Sequence, residues 1–238
     1  MSDEFKRDEL SCRCDLCKKE FKDKDDPCFV YKDMSDDEVD LNTLCYFNLF
    51  PNPKRTYFLQ DIRNLTPSDA VIVEVGSHVG FVSNLFASQN RTVYCIDVWD
   101  DYYYNDNDGG EGGIISHNRF LGGWQRVFSR FCHNAGPRLF KQIIPIRAPS
   151  KVVAKNWNQK VDLVYIDGAH DFESVRSDIL SWLPFVKEGG YMGGDDFDSV
   201  SVRSAVLSCF NGYQPPTEYD LSGQWVLRCR NNDLEPPV

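Results

Sequence analysis

Residues 71–81 read Val-Ile-Val-Glu-Val-Gly-Ser-His-Val-Gly-Phe. Five residues dominated by Val and Ile predict a strand buried on both faces, the situation of a strand inside a parallel sheet. The chain then reverses at Gly76, and the apolar positions beyond Gly80 predict a helix over 81–89. A glycine turn leading into a helix leaves room for a ligand against the backbone at the helix N-terminus. The stretch is a cradle of nucleotide size.

The elements that follow repeat the pattern. Residues 92–96 predict a second strand ending at Asp97, residues 143–146 a third, and residues 161–166 a fourth that runs into Asp167-Gly168. Helices are expected over 172–183 and 200–210, with a fifth strand at 191–194 running into Asp195-Asp196 and a closing strand at 225–229. Upstream, Tyr57, Phe58, Ile62 and Leu65 have helical spacing and would cover the sheet edge, while Phe120, Trp124, Val127, Phe128 and Phe131 read as one core-facing helical stripe. Residues 100–118, with three tyrosines and four glycines, read as a lid. This alternation predicts an α/β fold: a Rossmann-like, doubly wound, mostly parallel sheet of about seven strands, the last antiparallel, with helices on both faces. Ligands bind at the carboxyl ends of strands in such sheets, and acids stand at the ends of strands one, two, four and five.

The chain divides by composition into an acidic, cysteine-bearing extension, residues 1–50, and a main domain, residues 51–238. Residues 1–40 carry 14 acidic against 8 basic side chains, a large part of the net charge of −10. An acidic chain is a poor match for a phosphate backbone, which argues against nucleic acid as a partner. Of nine cysteines, Cys14, Cys17, Cys28 and Cys45 would supply four thiolates to a Zn²⁺ ion; incidental thiols on a flexible arm are the other reading. No stretch is long enough to span a bilayer and the polar start lacks the apolar centre of a signal peptide, so a soluble, cytoplasmic protein with no membrane partner is expected. Homo-oligomer formation is left open.

The turn departs from the dinucleotide fingerprint G-x-G-x-x-G, which seats a pyrophosphate. Here it is Glu74-x-Gly76-x-x-x-Gly80, with a carboxylate that would repel phosphate and attract a cation. From about Lys54 to Arg230 the chain resembles class I S-adenosylmethionine-dependent methyltransferases, whose cosubstrate carries an ammonium and a sulfonium and no phosphate. Ile166-Asp167-Gly168-Ala169-His170 and Gly189-Gly190 through Asp195-Asp196 resemble the macrocin-type sugar O-methyltransferase group.

That resemblance implies that Glu74, Gly76, Ser77 and Gly80 line the methionine end of S-adenosyl-L-methionine. It also implies that Asp97 accepts from the ribose, that Trp99 packs on adenine, that Ala148 and Ser150 form the adenine-contacting turn, and that Asp167 adjoins the cofactor. Asp167, Asp195 and Asp196 converge at neighbouring strand ends as a hard-oxygen site suited to Mg²⁺, although Asp195 and Asp196 would equally serve as helix caps. His170 or Asp171 is then the expected base for an acceptor hydroxyl, with Asp167 beside it. The expected function is metal-assisted methylation of a hydroxyl on a sugar or glycan. A catechol-like or other small-molecule acceptor and a non-catalytic binding protein are the alternatives.

Overall fold

The computed structural model describes residues 53–99, 124–210, 223–230 and 233–235. The expected zinc cysteines, the acidic extension, the lid and Phe120 lie outside the described residues. The elements in chain order are α1 (Pro53–Leu65), β1 (Val71–Val75), α2 (Phe81–Phe86), β2 (Thr92–Asp97), α3 (Trp124–Ala135), β3 (Ile143–Arg147), α4 (Ser150–Lys155), β4 (Val161–Ile166), α5 (Phe172–Trp182), β5 (Val186–Gly194), α6 (Val200–Cys209), β6 (Trp225–Arg230) and β7 (Asp233–Glu235).

They form one seven-stranded sheet in the order β3-β2-β1-β4-β5-β6-β7. The first five strands are parallel, β6 runs antiparallel to β5, and β7 runs antiparallel to β6. The fold is therefore the doubly wound, mostly parallel α/β sheet that the alternating elements predict. Its antiparallel reversal at β6 is also as expected; β7, three residues long, is too short for periodicity to reveal.

Strand parity divides the core into two layers. Ile72, Val93, Cys95, Leu163 and Tyr165 face one side, where Phe58, Leu59 and Ile62 of α1, Leu85 and Phe86 of α2, and Val127 and Phe131 of α3 cover them. Val73, Val164, Ile166 and Met192 face the other, against Val175, Ile179 and Trp182 of α5 and Val202 and Val206 of α6. Every residue of β4 is buried, as a strand with helices on both faces requires.

The boundaries differ from expectation for local reasons. Leu65 is largely exposed and Leu59 takes its place in the core. α2 stops at Phe86, because Gln89 turns left-handed so that Asn90 and Thr92 can donate to the carbonyls of Ser68 and Ala70 and enter β2. β5 begins five residues early, at Val186, with Gly189-Gly190 absorbed at a register shift between Val161 and Leu163. α4 was hidden by Pro145 and Pro149 on either side of its approach.

Gly76 is the tightest point of the architecture. Its φ is +86°, and a Cβ there would stand 2.0 Å from the Asp167 carbonyl oxygen. The turn after β1 thus lies directly against the end of β4, with Gly76 N donating to Ile96 O and Asp167 N to Val75 O, both at 2.8 Å. The glycine is required by the protein's own backbone, not only by room for a ligand. Gly76→Ala should destabilise the fold by about 3 kcal/mol or more, from left-handed strain added to the clash. A denaturant midpoint shifted by less than a third of that would contradict this packing.

Candidate active site

The strand order reverses direction between β1 and β4, the place where an open parallel sheet leaves a ligand crevice. On the β1 and β2 side the crevice wall is knotted together. Asp97, 6% exposed, accepts from His78 N through Oδ2 at 2.9 Å and from Trp99 N through Oδ1 at 3.0 Å. Trp99 Nε1 in turn donates to His78 O at 2.8 Å, and an Arg147 guanidinium nitrogen donates to Trp99 O at 2.6 Å. His78 and Trp99 both have positive φ, so the two turns are bent to meet each other.

Several expected cofactor residues have other work here. Trp99 is fully buried, its indole packed on Phe128 and Phe131 with ring centroids 4.9 and 4.8 Å away, so it belongs to the core and not to an adenine face. Ser150 Oγ accepts from Trp182 Nε1 at 2.8 Å, turned toward α5, while Ala148 N donates back to Asp97 O. Glu74 sits within β1, one residue before its end, on the same face as Ile72; it is 1% exposed and lies opposite Cys95 of β2. It accepts a hydrogen bond from Ser83 of α2, and Ser77 stands beside it. Burial pushes its pKa up to about 7, against the hydrogen bonds from Ser83, Ser77 and Cys95 that favour the charged form. Its carboxyl therefore supports the turn from beneath.

The other side of the crevice is acidic and more open. One ligand atom from each of Asp167, His170 and Asp196 lies within 4.8 Å of the other two. Asp167 and His170 follow β4, and Asp196 follows β5 with φ 57°, a conformation that Asp tolerates better than most residues. His170 Nε2 and Asp196 Oδ2 are 2.9 Å apart, and their side chains are 40% and 38% exposed. The hydrogen bond to Asp196 raises the His170 pKa to about 9, opposed by burial and helped by the charges of Asp196, Asp167 and Asp195. His170 is thus protonated at neutral pH in this arrangement.

The sequence grouped Asp195 with Asp167 and Asp196; in the structure His170 comes close to Asp167 and Asp196, and Asp195 lines the same recess. Asp195 Oδ1 accepts from Asp196 N at 2.9 Å and from Gln224 Nε2. Asp171 is the N-cap of α5, accepting from Ser174 N at 2.9 Å. Burial raises its pKa, but the hydrogen bonds from Ser174, Glu173 and its own backbone outweigh that and leave it below the ordinary value, so it is a poor proton acceptor.

Gln224 and Trp225 are the residues that sequence reasoning missed. Both are 1% exposed, and Trp225 lines the recess formed by Asp167, Gly168, Ala169, His170, Asp195 and Asp196. Its Nε1–H has no hydrogen-bond partner among the described residues. A Cβ at Gly194 would be 2.7 Å from that nitrogen, so the glycine of β5 is what lets the indole lie there. The recess is small and open to solvent, with space for little more than one ion or water-sized group.

The donor set fits the groups that the fold suggests. Two carboxylates and an imidazole are suitable metal ligands, and the glycine turn beside acidic strand ends suits a cationic, hydroxyl-bearing cosubstrate better than a phosphate. Residues 73–197, more than half of the chain, match the methyltransferase-domain family, and the chain belongs to it, as a class I S-adenosylmethionine-dependent methyltransferase domain. The solved structure of the O-methyltransferase NovP superposes with a TM-score of 0.55 at 17% identity, over 77% of this chain and 80% of that one. An rRNA methylase from Streptococcus thermophilus superposes at 0.50 and 12% identity, over 80% of this chain and all of that one. These likenesses establish the fold, and two such different names show that it leaves the acceptor open. Among the described residues no helix is long and apolar enough to cross a membrane.

The buried acid makes a stability prediction. A carboxyl at about 7 in the folded protein and near 4.5 when unfolded binds more protons folded than unfolded between those values. Its favourable contribution is complete below pH 4.5 and lost as pH rises through 7. Glu74→Gln should therefore gain stability relative to the parent as pH rises across that window, by an amount on the order of 3 kcal/mol. Denaturant unfolding at pH 4.5 and 8 checks this; a difference that does not change with pH would contradict it.

Proposed function

We propose that the protein transfers the methyl group of S-adenosylmethionine to a hydroxyl of a sugar or glycan, assisted by a divalent cation. The observation that carries this reading is the Asp167, His170 and Asp196 cluster at the ends of β4 and β5, adjoining the Gly76 turn. Methyl donor and acceptor oxygen would then meet on the two sides of one crevice. The kinship of fold with an O-methyltransferase and the macrocin-type motifs at residues 166–170 and 189–196 support oxygen as the target atom and a sugar as its carrier.

Gly76, Ser77 and Gly80 would hold the methionine end of the cosubstrate, with Glu74 bracing that turn from below. Asp97 would reach the ribose with the same oxygens that fix His78 N and Trp99 N. Ala148 would border the adenine. Asp167, His170 and Asp196 would hold the cation, which supplies positive charge that lowers the pKa of a neighbouring hydroxyl.

Transfer is an in-line displacement. The carbon–sulfur bond breaks as the carbon–oxygen bond forms, the sulfonium becomes a neutral thioether, and the hydroxyl proton leaves to solvent through the exposed side of the recess. On this reading neither expected base is free to accept the proton, since His170 would hold the cation and Asp171 caps a helix. The protein's contribution is to position the two reactants and to concentrate charge, which accounts for much of the rate in such a displacement.

Labelled methyl from S-adenosylmethionine should appear on sugar hydroxyls in a panel that also contains phenols and RNA. Chelator should abolish transfer and a divalent ion restore it, and Asp167→Asn should lower kcat by about 100-fold or more. Transfer that is undiminished in chelator removes the cation, and labelling confined to phenols or RNA removes the sugar.

A further inference from the structure

This inference rests on the reading above in which the turn after β1 receives the methyl donor, and it concerns what keeps that turn in shape. Within five residues, Gly76, His78 and Gly80 all take positive φ, at 86°, 45° and 81°. Backbone bent in this way persists only where its surroundings fix it, and its buried carbonyls need donors from outside a regular ladder. Three successive carbonyls accept from side chains here. Trp99 Nε1 donates to His78 O, Asn134 Nδ2 to Val79 O and Asn84 Nδ2 to Gly80 O, each at 2.8 Å.

The three donors are not equivalent. Asn84 lies on α2, the helix into which the turn runs, and Gly80 O also accepts from Asn84 N at 3.1 Å, so that carbonyl keeps a donor without the side chain. Trp99 reaches the turn from just beyond β2 and is itself part of the core against Phe128 and Phe131. Asn134 comes from α3, 55 residues beyond Val79, and is 2% exposed. The same helix brings Phe131 against the turn, where a Cβ on Gly80 would stand 2.9 Å from the ring.

We propose that Asn134 is a positioning residue for methyl transfer: by holding Val79 O it keeps residues 77–80 in the shape that receives the methionine end of the cosubstrate. It acts through the backbone and not on a reactant. A side chain without a donor at this place would leave a buried carbonyl unpaired, and the turn would shift to find another partner. A carboxylate there has no N–H and sets its charge against the carbonyl oxygen. The coupling between this hydrogen bond and the bound cosubstrate is reciprocal, so whatever the bond adds to affinity, the cosubstrate adds to the bond.

The test uses the full chain, with S-adenosylhomocysteine as the probe. Calorimetric titration at pH 8 should give a Kd about tenfold higher in the near-isosteric Asn134→Asp than in the parent, while Asn84→Ala stays within about threefold of the parent. A second measurement needs no variant to fold. In the parent, followed by nuclear magnetic resonance, the Asn134 side-chain amide protons should exchange with solvent about tenfold more slowly once S-adenosylhomocysteine is bound. The Trp157 indole proton, which is bonded to Gln159 O in the other core layer, should exchange at an unchanged rate. Equal affinity in Asn134→Asp and the parent, or a loss in Asn84→Ala as large as in Asn134→Asp, overturns the proposal and leaves the methyl-donor reading standing. Exchange at Asn134 that the bound cosubstrate leaves unchanged, or slows no more than at Trp157, does the same. A parent chain that does not bind S-adenosylhomocysteine overturns both.

Discussion

The contact between the Gly76 turn and the Asp167 carbonyl is the constraint on which the rest of the molecule depends. It brings the loop after β1 and the loop after β4 to the same spot at the point where the sheet changes direction. One of those loops carries the residues suited to a methyl donor, and the other begins the acidic cluster. A bulkier residue at position 76 would separate the two halves of the crevice before any ligand arrived. The packing of the sheet and the assembly of the site are here the same physical event.

Beneath that contact, polar groups do what a parallel sheet's apolar core cannot. Glu74 is held between β1, β2 and α2 by serines, and Asp97 gathers the amides of two turns. Such buried polar groups specify one arrangement at some cost in stability, since a buried carboxyl is penalised once it ionises. The Glu74 carboxyl near 7 is the local measure of that cost. Rigidity of the turn is what it provides, and a turn that does not move is what an in-line displacement needs from its donor side.

Much of this was legible from the chain alone. The Val- and Ile-rich runs at 71–75 and 161–166, each interrupted by one acid, read as strands covered on both faces, and Asp97, Asp167 and Asp195 marked the carboxyl edge of the sheet. The parity that turns Glu74 under α2 is also written in the sequence, since it shares a face with Ile72 two residues earlier. Other features depend on contacts between distant residues. Nothing local distinguishes a strand-end tryptophan that stacks on a ligand from one that, like Trp99, enters a pocket made by Phe128 and Phe131. Asp195 and Asp196 are adjacent and chemically identical; only the fold shows that Gln224, far along the chain, donates to one of them. His170 was visible as a candidate base, but its closeness to Asp196 required the fold.

Cosubstrate crevice and cation cluster form one site on this account, joined through Gly76 and Asp167. The most direct measurement is a crystal structure of the protein grown with S-adenosylhomocysteine and Mn²⁺, with anomalous scattering used to locate the ion. The thioether sulfur should lie over the Gly76 turn, and a single anomalous peak should be bounded by Asp167, His170 and Asp196, with Asp195 still bound to Gln224. A peak held instead by Asp195 without His170, or a cosubstrate lying away from the β1 and β4 loops, would contradict it.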